Sequence, residues 1–393
     1  MISGAVLRSE HEIFTKTVPS EPFMSHHGRT SDRRGRSSLV SRVGGQLATG
    51  LRRAPDRLHV FHIDSSGVLR CAVQDGTTWA GVTLPQADGL PFGTDLHPPG
   101  ALMTGYQARG AQLDVFAVDR DGMLRIYLTP GGRAWEADVV PEAVGIPPGA
   151  CIATGYQGGG SVLDVFVVGR SGEPLIFQGT DDGRWYPRRV PLETPLPHGA
   201  NLSTGYQNSG MKLTLFAIDR AGQLQAVSET ADGAWDVESP HLQLAQDFEL
   251  PPGAPLATGY PGGGGELTLF TVDVQGRLCA FRRERFGWDA QVLPGGGLHA
   301  PSALATGYQN GGRQLLVFVV DENGRLRQYA QEPDGMWSVG VVPNGVGLPP
   351  GAAIATGYRA GANELDVFVL DEFSAPPIYY TAQDGGWTGP YRI

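Results

Sequence analysis

Seven copies of one four-strand unit predict an all-β chain, a seven-bladed β-propeller of four-stranded antiparallel blades. Three observations predict it. A Thr-Gly pair recurs at Thr49, Thr104, Thr154, Thr204, Thr258, Thr306 and Thr356. The chain's 7 tryptophans, Trp79, Trp135, Trp185, Trp235, Trp288, Trp337 and Trp387, each follow one pair by about 30 residues. Between pair and tryptophan lie short apolar runs separated by Gly turns, with no helical period. Four strands in a period of about 50 residues suit a ring, because one blade alone leaves both its faces wet.

Each element has its reason. Residues 1–43 hold seven basic residues against four acids and no apolar periodicity, so they read as a flexible basic N-terminal arm. The propeller then runs over 44–393, with repeats near 44–99, 100–148, 149–198, 199–252, 253–300, 301–350 and 351–393. Strand A, as in ALMTGYQ from Ala101, is built of small residues that let seven strands converge on a central channel. Strand B, as in LDVFAVD from Leu113, is nearly continuous in apolar side chains, which suits a strand covered on both faces. Asp-x-x-Gly then turns the chain into strand C, where Asp folds onto its own backbone and Gly supplies positive φ. A second Gly turn leads to the tryptophan that opens strand D and fills the wide outer wedge between blades. The two chain ends share no strand by this reading; Ser38 to Val43 is the one segment placed to add a strand at the seam.

Composition excludes several functions. Gly and Pro make up roughly a fifth of 393 residues, as many tight turns require, without the period of collagen. The net charge is −10, and the arm's surplus of +3 leaves −13 on the propeller, which argues against nucleic acid as a partner. No apolar run is long enough for a membrane span. The start MISGAVLRSEHEIF carries acids where a signal peptide has its apolar core, so the cytoplasm is the default location, with release or non-classical export as the other route. Cys71, Cys151 and Cys279 each fall in an expected strand and read as buried apolar residues.

No motif for catalysis, a cofactor or a metal emerges. The Asp-x-x-Gly turns are too short for a calcium loop, and the Gly-rich stretches precede strands where a phosphate cradle needs a helix. The hairpin spacing differs from that of sialidase Asp-boxes. If the chain is an enzyme, the first copy supplies the candidates: His59 and His62 on strand B and His97 in the long connection after it. Once the ring closes, these adjoin EFSAPPIYY (Glu372 to Tyr380) at the seam near the channel mouth. A third reading is a protein-docking platform using Gln86–Pro99 and His241–Pro252.

Repetition itself points to a ligand met several times. Tyr106-Gln107, Tyr156-Gln157, Tyr206-Gln207 and Tyr308-Gln309 end strand A, and strand C offers Arg125 with Tyr127 and Arg327 with Tyr329. Rings beside amides and guanidinium groups suit a sugar, whose C–H face stacks on an aromatic while its hydroxyls are hydrogen-bonded. Several weak sites gain from avidity. The same Tyr and Gln would equally serve to cap strand A and bond the turn.

The repeat GGRQLLVFVVDENGRLRQYAQEPDGMWS resembles that of PLL-like bacterial seven-bladed lectins over residues 44–393, and more distantly that of the fungal fucose-specific lectins. The resemblance implies glycan binding, of fucose or a related sugar, in pockets between adjacent blades, and a homo-oligomer. Two departures stand out. The lectin tryptophan after the strand-C Leu is Arg70, Arg125, Gln225, Cys279 or Arg327 here. The fungal strand-B arginine is replaced by His59, Asp114, Asp164, Thr214, Thr268, Leu316 and Asp366.

Overall fold

A computed structural model describes residues 47–52, 56–90, 102–130, 134–157, 162–180, 183–190, 192, 194–207, 212–230, 234–238, 248–261, 266–284, 287–359, 364–371, 377–383 and 386–393. The basic arm 1–43, the seam segment Ser38 to Val43 and His97 lie outside them. The described strands form seven four-stranded antiparallel sheets, each with its strands in chain order. Blade 1 comprises β1 (Leu47–Arg52), β2 (Arg57–Ile63), β3 (Leu69–Asp75) and β4 (Thr78–Val82). In blade 7 the strands are Ile354–Tyr358, Leu365–Val369, Ile378–Gln383 and Gly386–Arg392. Both end blades are therefore complete, and no described strand crosses the seam.

Burial follows position in the blade. Strand B is buried along nearly its whole length, while strand D, the outer edge, is mostly exposed. Seven apolar clusters sit mainly between neighbouring blades, and one of them joins Leu58 and Val60 of blade 1 to Phe368 and Tyr379 of blade 7. Cys71 and Cys279 lie in strands as expected. Cys151 is a correction: it directly precedes its strand, Ile152–Gln157, and is buried there.

Three repeated contacts hold the ring. Each Thr of the Thr-Gly pair donates its hydroxyl to the carbonyl of the Thr in the preceding blade, at 2.5–2.9 Å, and Thr49 to Thr356 completes the circle. The adjoining Gly leaves room for the next blade's strand-B Leu. A Cβ on Gly50 would lie 2.6 Å from Leu113, and one on Gly357 would lie 2.8 Å from Leu58 across the seam. Further out, each Trp stands edge-to-face on the strand-B Phe of the preceding blade, with centroids 5.5–5.9 Å apart and planes 73–89° apart. That geometry is the favoured one for aromatic pairs.

The B–C turns carry a further repeat. Asp119 Oδ1 accepts the amides of Asp121 and Met123, while Oδ2 accepts Arg125 Nε at 2.7 Å. Asp64, Asp219, Asp273 and Asp321 do the same with their own neighbours. In blade 3 Gly169 stands in place of Asp, and the Glu173 carboxylate, bonded by the Ser171 hydroxyl, occupies the vacated space.

Candidate functional site

Strand pairing brings the end of strand A, the start of strand B and the C–D turn to one rim of each blade. The opening Trp of the next blade faces them. Between blades 1 and 2 this rim encloses a cavity of about 310 Å³. Arg52 and Arg57 flank the A–B turn as register partners, Asp75 ends β3, and Trp135 of blade 2 closes the far side. The floor is His59, 2% exposed. Its Nδ1 lies 3.0 Å from the Arg57 carbonyl, which can only accept, so Nδ1 carries the proton and Nε2 is an acceptor. Burial first, and the Arg52 and Arg57 charges, lower its pKa to about 4, so the ring is neutral at physiological pH.

The same row recurs around the ring with different chemistry. In blade 2 Gln112 Nε2 bonds both Gln107 Oε1 (3.1 Å) and Asp114 Oδ1 (2.8 Å). Gln107 Nε2 and Asp114 Oδ2 are buried with no hydrogen-bond partner among the described residues. Burial raises the Asp114 carboxyl to about 8. Gln107 reaches the wall of blade 3, because Gly179 leaves open the space between its Nε2 and Trp185. In blade 3 Gln157 donates to Asp164, and Gln178 donates to Gln157 at 2.9 Å. Burial raises Asp164 to about 7. In blade 4 Thr214 and Ser228 share a 2.9 Å bond below Gln207. In blade 7 Arg359 clasps Asp366 with bonds of 3.0 and 3.2 Å and reaches Thr381 at 2.6 Å. Blade 6 is the exception, with Leu316 and Ala330 at the row behind Gln309.

The residues singled out from sequence divide. Gln107, Gln157, Gln207 and Gln309 end strand A at the clefts. The tyrosines beside them belong to the ring: the hydroxyls of Tyr106, Tyr156, Tyr206 and Tyr308 each accept the amide at the matching position of the preceding blade, Leu51, Tyr106, Tyr156 and Tyr260. Tyr127 and Tyr329 are corrections. Both are fully buried in inter-blade clusters, so no sugar can stack on them. Arg125 and Arg327 lie at the opposite end of strand C from the cleft rim, riveted to Asp119 and Asp321 at 2.7 and 2.8 Å. The expected grouping of Tyr, Gln and Arg is thus not brought together.

His59 and His62, three residues apart on β2, project from opposite faces. His62 is buried, and burial lowers its pKa to about 4. Among the described residues no group of three or more His, Cys, Asp or Glu could hold a metal ion. No described helix is long and apolar enough to cross a membrane. Arg52, Arg57, Asp75 and the cleft role of Trp135 escaped the sequence reading. Their signal was present: one polar, variable position inside an otherwise apolar strand B marks the cleft floor.

A ring of seven four-stranded antiparallel blades is a seven-bladed β-propeller. The BP39L lectin from Burkholderia pseudomallei has a similar structure, with a TM-score of 0.77 and 27% identity over 91% of this chain and 100% of that one. The resemblance to bacterial propeller lectins therefore holds around the ring. Two fungal structures share the fold alone. AofleA from Arthrobotrys oligospora has a TM-score of 0.54 and 12% identity over 77% of this chain and 87% of that one. The six-bladed lectin from Aleuria aurantia has a TM-score of 0.51 and 16% identity over 77% and 96%. No family model matches the chain, and no curated protein does.

Proposed function

We propose that the chain is a lectin that binds glycans, without transforming them, in several of the clefts between adjacent blades. The observation that carries this reading is the 310 Å³ cavity walled by Trp135 and rimmed by hydrogen-bonding side chains, built from a row that recurs in the neighbouring blades. That volume lies at the lower end of the range for small-ligand sites, about 300–1,000 Å³. A pyranose would lay its C–H face on the tryptophan and give its hydroxyls to the polar rim. In the first cleft the rim is Arg52, Arg57, His59 and Asp75. In the second it is Gln107 and Asp114 beside Trp185, and in the third Gln157 and Gln178 beside Trp235. Gln207 and Gln309 hold the corresponding places in blades 4 and 6. Buried polar atoms without partners, such as Gln107 Nε2 and Asp114 Oδ2, are suited to a ligand hydroxyl. Tyr106, Tyr156, Tyr206 and Tyr308 act indirectly, by fixing strand A.

The similar protein from Burkholderia is a lectin, and a mutant of the Aleuria lectin has been solved with α-methyl-L-fucoside, so fucosides belong among the first sugars tried. Self-association, which the resemblance implies, would multiply the sites again. A glycan array followed by titration calorimetry tests the reading. More than one sugar per chain is expected, with binding weakened by Trp135→Ala and Trp185→Ala. Absence of binding to every glycan, or one event indifferent to both substitutions, would overturn it.

A further inference from the structure

The seven tryptophans are not equally exposed. Trp288 is buried, at 7%, while the other six are half-buried. Its register partner on strand C is Arg283, whose Cζ lies 5.5 Å from the centre of the Trp288 ring, within cation–π range. The guanidinium then crosses to blade 4. Its two terminal nitrogens meet the two oxygens of the Glu238 carboxylate at 3.0 and 3.3 Å, and Trp288 Nε1 donates to the same carboxylate at 3.4 Å. Resting on the glycan-binding reading, we propose that Arg283 and Glu238 close the cleft between blades 4 and 5 to sugars, so that this tryptophan-walled cleft adds no site to the ring.

The positions of the pair show what it displaces. Glu238 aligns with Phe216 through Ala226, as Val82 aligns with Phe61 through Cys71. Val82 and Trp135 line the cavity between blades 1 and 2, so Glu238 and Trp288 are their counterparts, and Arg283 spans the space between them. The end of strand A is covered as well: Gln207 is 8% exposed, whereas Gln107, Gln157 and Gln309 are half-buried. In blades 1, 3, 4, 6 and 7 the residue in register with the tryptophan is Gln74, Gly179, Glu229, Gln331 or Ala382, and none is a cation. Blade 2 also has an acid, Asp138, in the place of Glu238, but the next blade presents Gly179 to it. Closure takes both partners.

A sugar does not reopen the cleft. The paired bonds from guanidinium to carboxylate are charge-assisted and roughly twice as strong as neutral ones. The two side chains are 26% and 24% exposed, so water screens them only in part. A neutral pyranose replaces neither charge, and its entry would leave two partly buried ions unpaired.

Two measurements on the full chain test this. Oxidation by N-bromosuccinimide, followed residue by residue through peptide mass spectrometry, reads access to each indole without any sugar. Trp288 is expected to react several-fold more slowly than Trp135 and Trp185, and Arg283→Ala should bring it to their rate. Calorimetry with methyl α-L-fucoside, methyl α-D-mannoside and methyl β-D-galactoside then counts sites, and Arg283→Ala is expected to bind one more sugar per chain than the parent. Trp288 reacting as fast as Trp135 in the parent, or an unchanged number of sites in the variant, would each overturn the proposal and leave the lectin reading intact. No binding of any of the three sugars by either protein would tell against the lectin reading itself, and the proposal would fall with it. Glu238→Gln, which keeps the shape and removes one charge of the pair, should likewise expose Trp288 and serves if Arg283→Ala fails to fold.

Discussion

Asp114 has no exposed surface on strand B of blade 2, and burial lifts its carboxyl to about 8. An unfolded Asp ionises near its ordinary 3.8, so from there up to about 8 the unfolded chain gives up a proton that the folded chain keeps. Stability therefore falls with rising pH across that window. Asp114→Asn keeps the shape without the ionisation. Its melting temperature should exceed that of the parent by roughly 2–5 °C at pH 8, and the two should converge at pH 4; equal melting at both would show that Asp114 is ionised without penalty. His59 and His62 act in the opposite sense. Their pKa values fall from 6.5 to about 4, so their contribution is present above 6.5 and is lost as pH drops toward 4. At this scale the sequence was hard to read. Tyr of Thr-Gly-Tyr looks alike whether it meets a sugar or the amide of the next blade, and only the neighbour 50 residues away decides.

Strands and turns were far more legible. Strand B reads as a buried strand because it must be apolar on both faces, and the Asp-x-x-Gly turns read as turns because their chemistry is local. Gly222 shows the constraint: its φ is +75°, and a Cβ there would sit 2.5 Å from the Leu250 carbonyl of the connection passing over the turn. Gly222→Ala should cost about 1–3 kcal/mol, measurable by denaturant unfolding; a loss under half of that would mean that the connection simply moves aside. The tryptophans serve two purposes that one motif cannot separate. Trp185→Phe preserves an aromatic on Phe116, so stability should change by only about 1 kcal/mol. Sugar binding at the second cleft should weaken several-fold, and calorimetry reads both outcomes apart.

The count of seven was readable because the period is regular, and closure without a shared strand follows from wedges that bury only against neighbours. The seam repeats three devices of the ring: Thr49 on Thr356, Leu58 against Gly357, Trp79 on Phe368. Leu51, where other blades have Tyr, has no hydroxyl to supply the fourth, the strand-A Tyr contact. Deleting residues 351–393 would open two apolar faces at once, and the product should lose its cooperative thermal transition; a sharp melt would mean that blades are stable in an open arc. The clefts were less legible because each joins residues of two blades about 50 positions apart. A crystal structure of the chain soaked with its tightest array glycan tests the central claim most directly. Sugar stacked on Trp135 or its counterparts, in more than one cleft, is the expected result; sugar confined to the central channel, or none at saturating concentration, would contradict it.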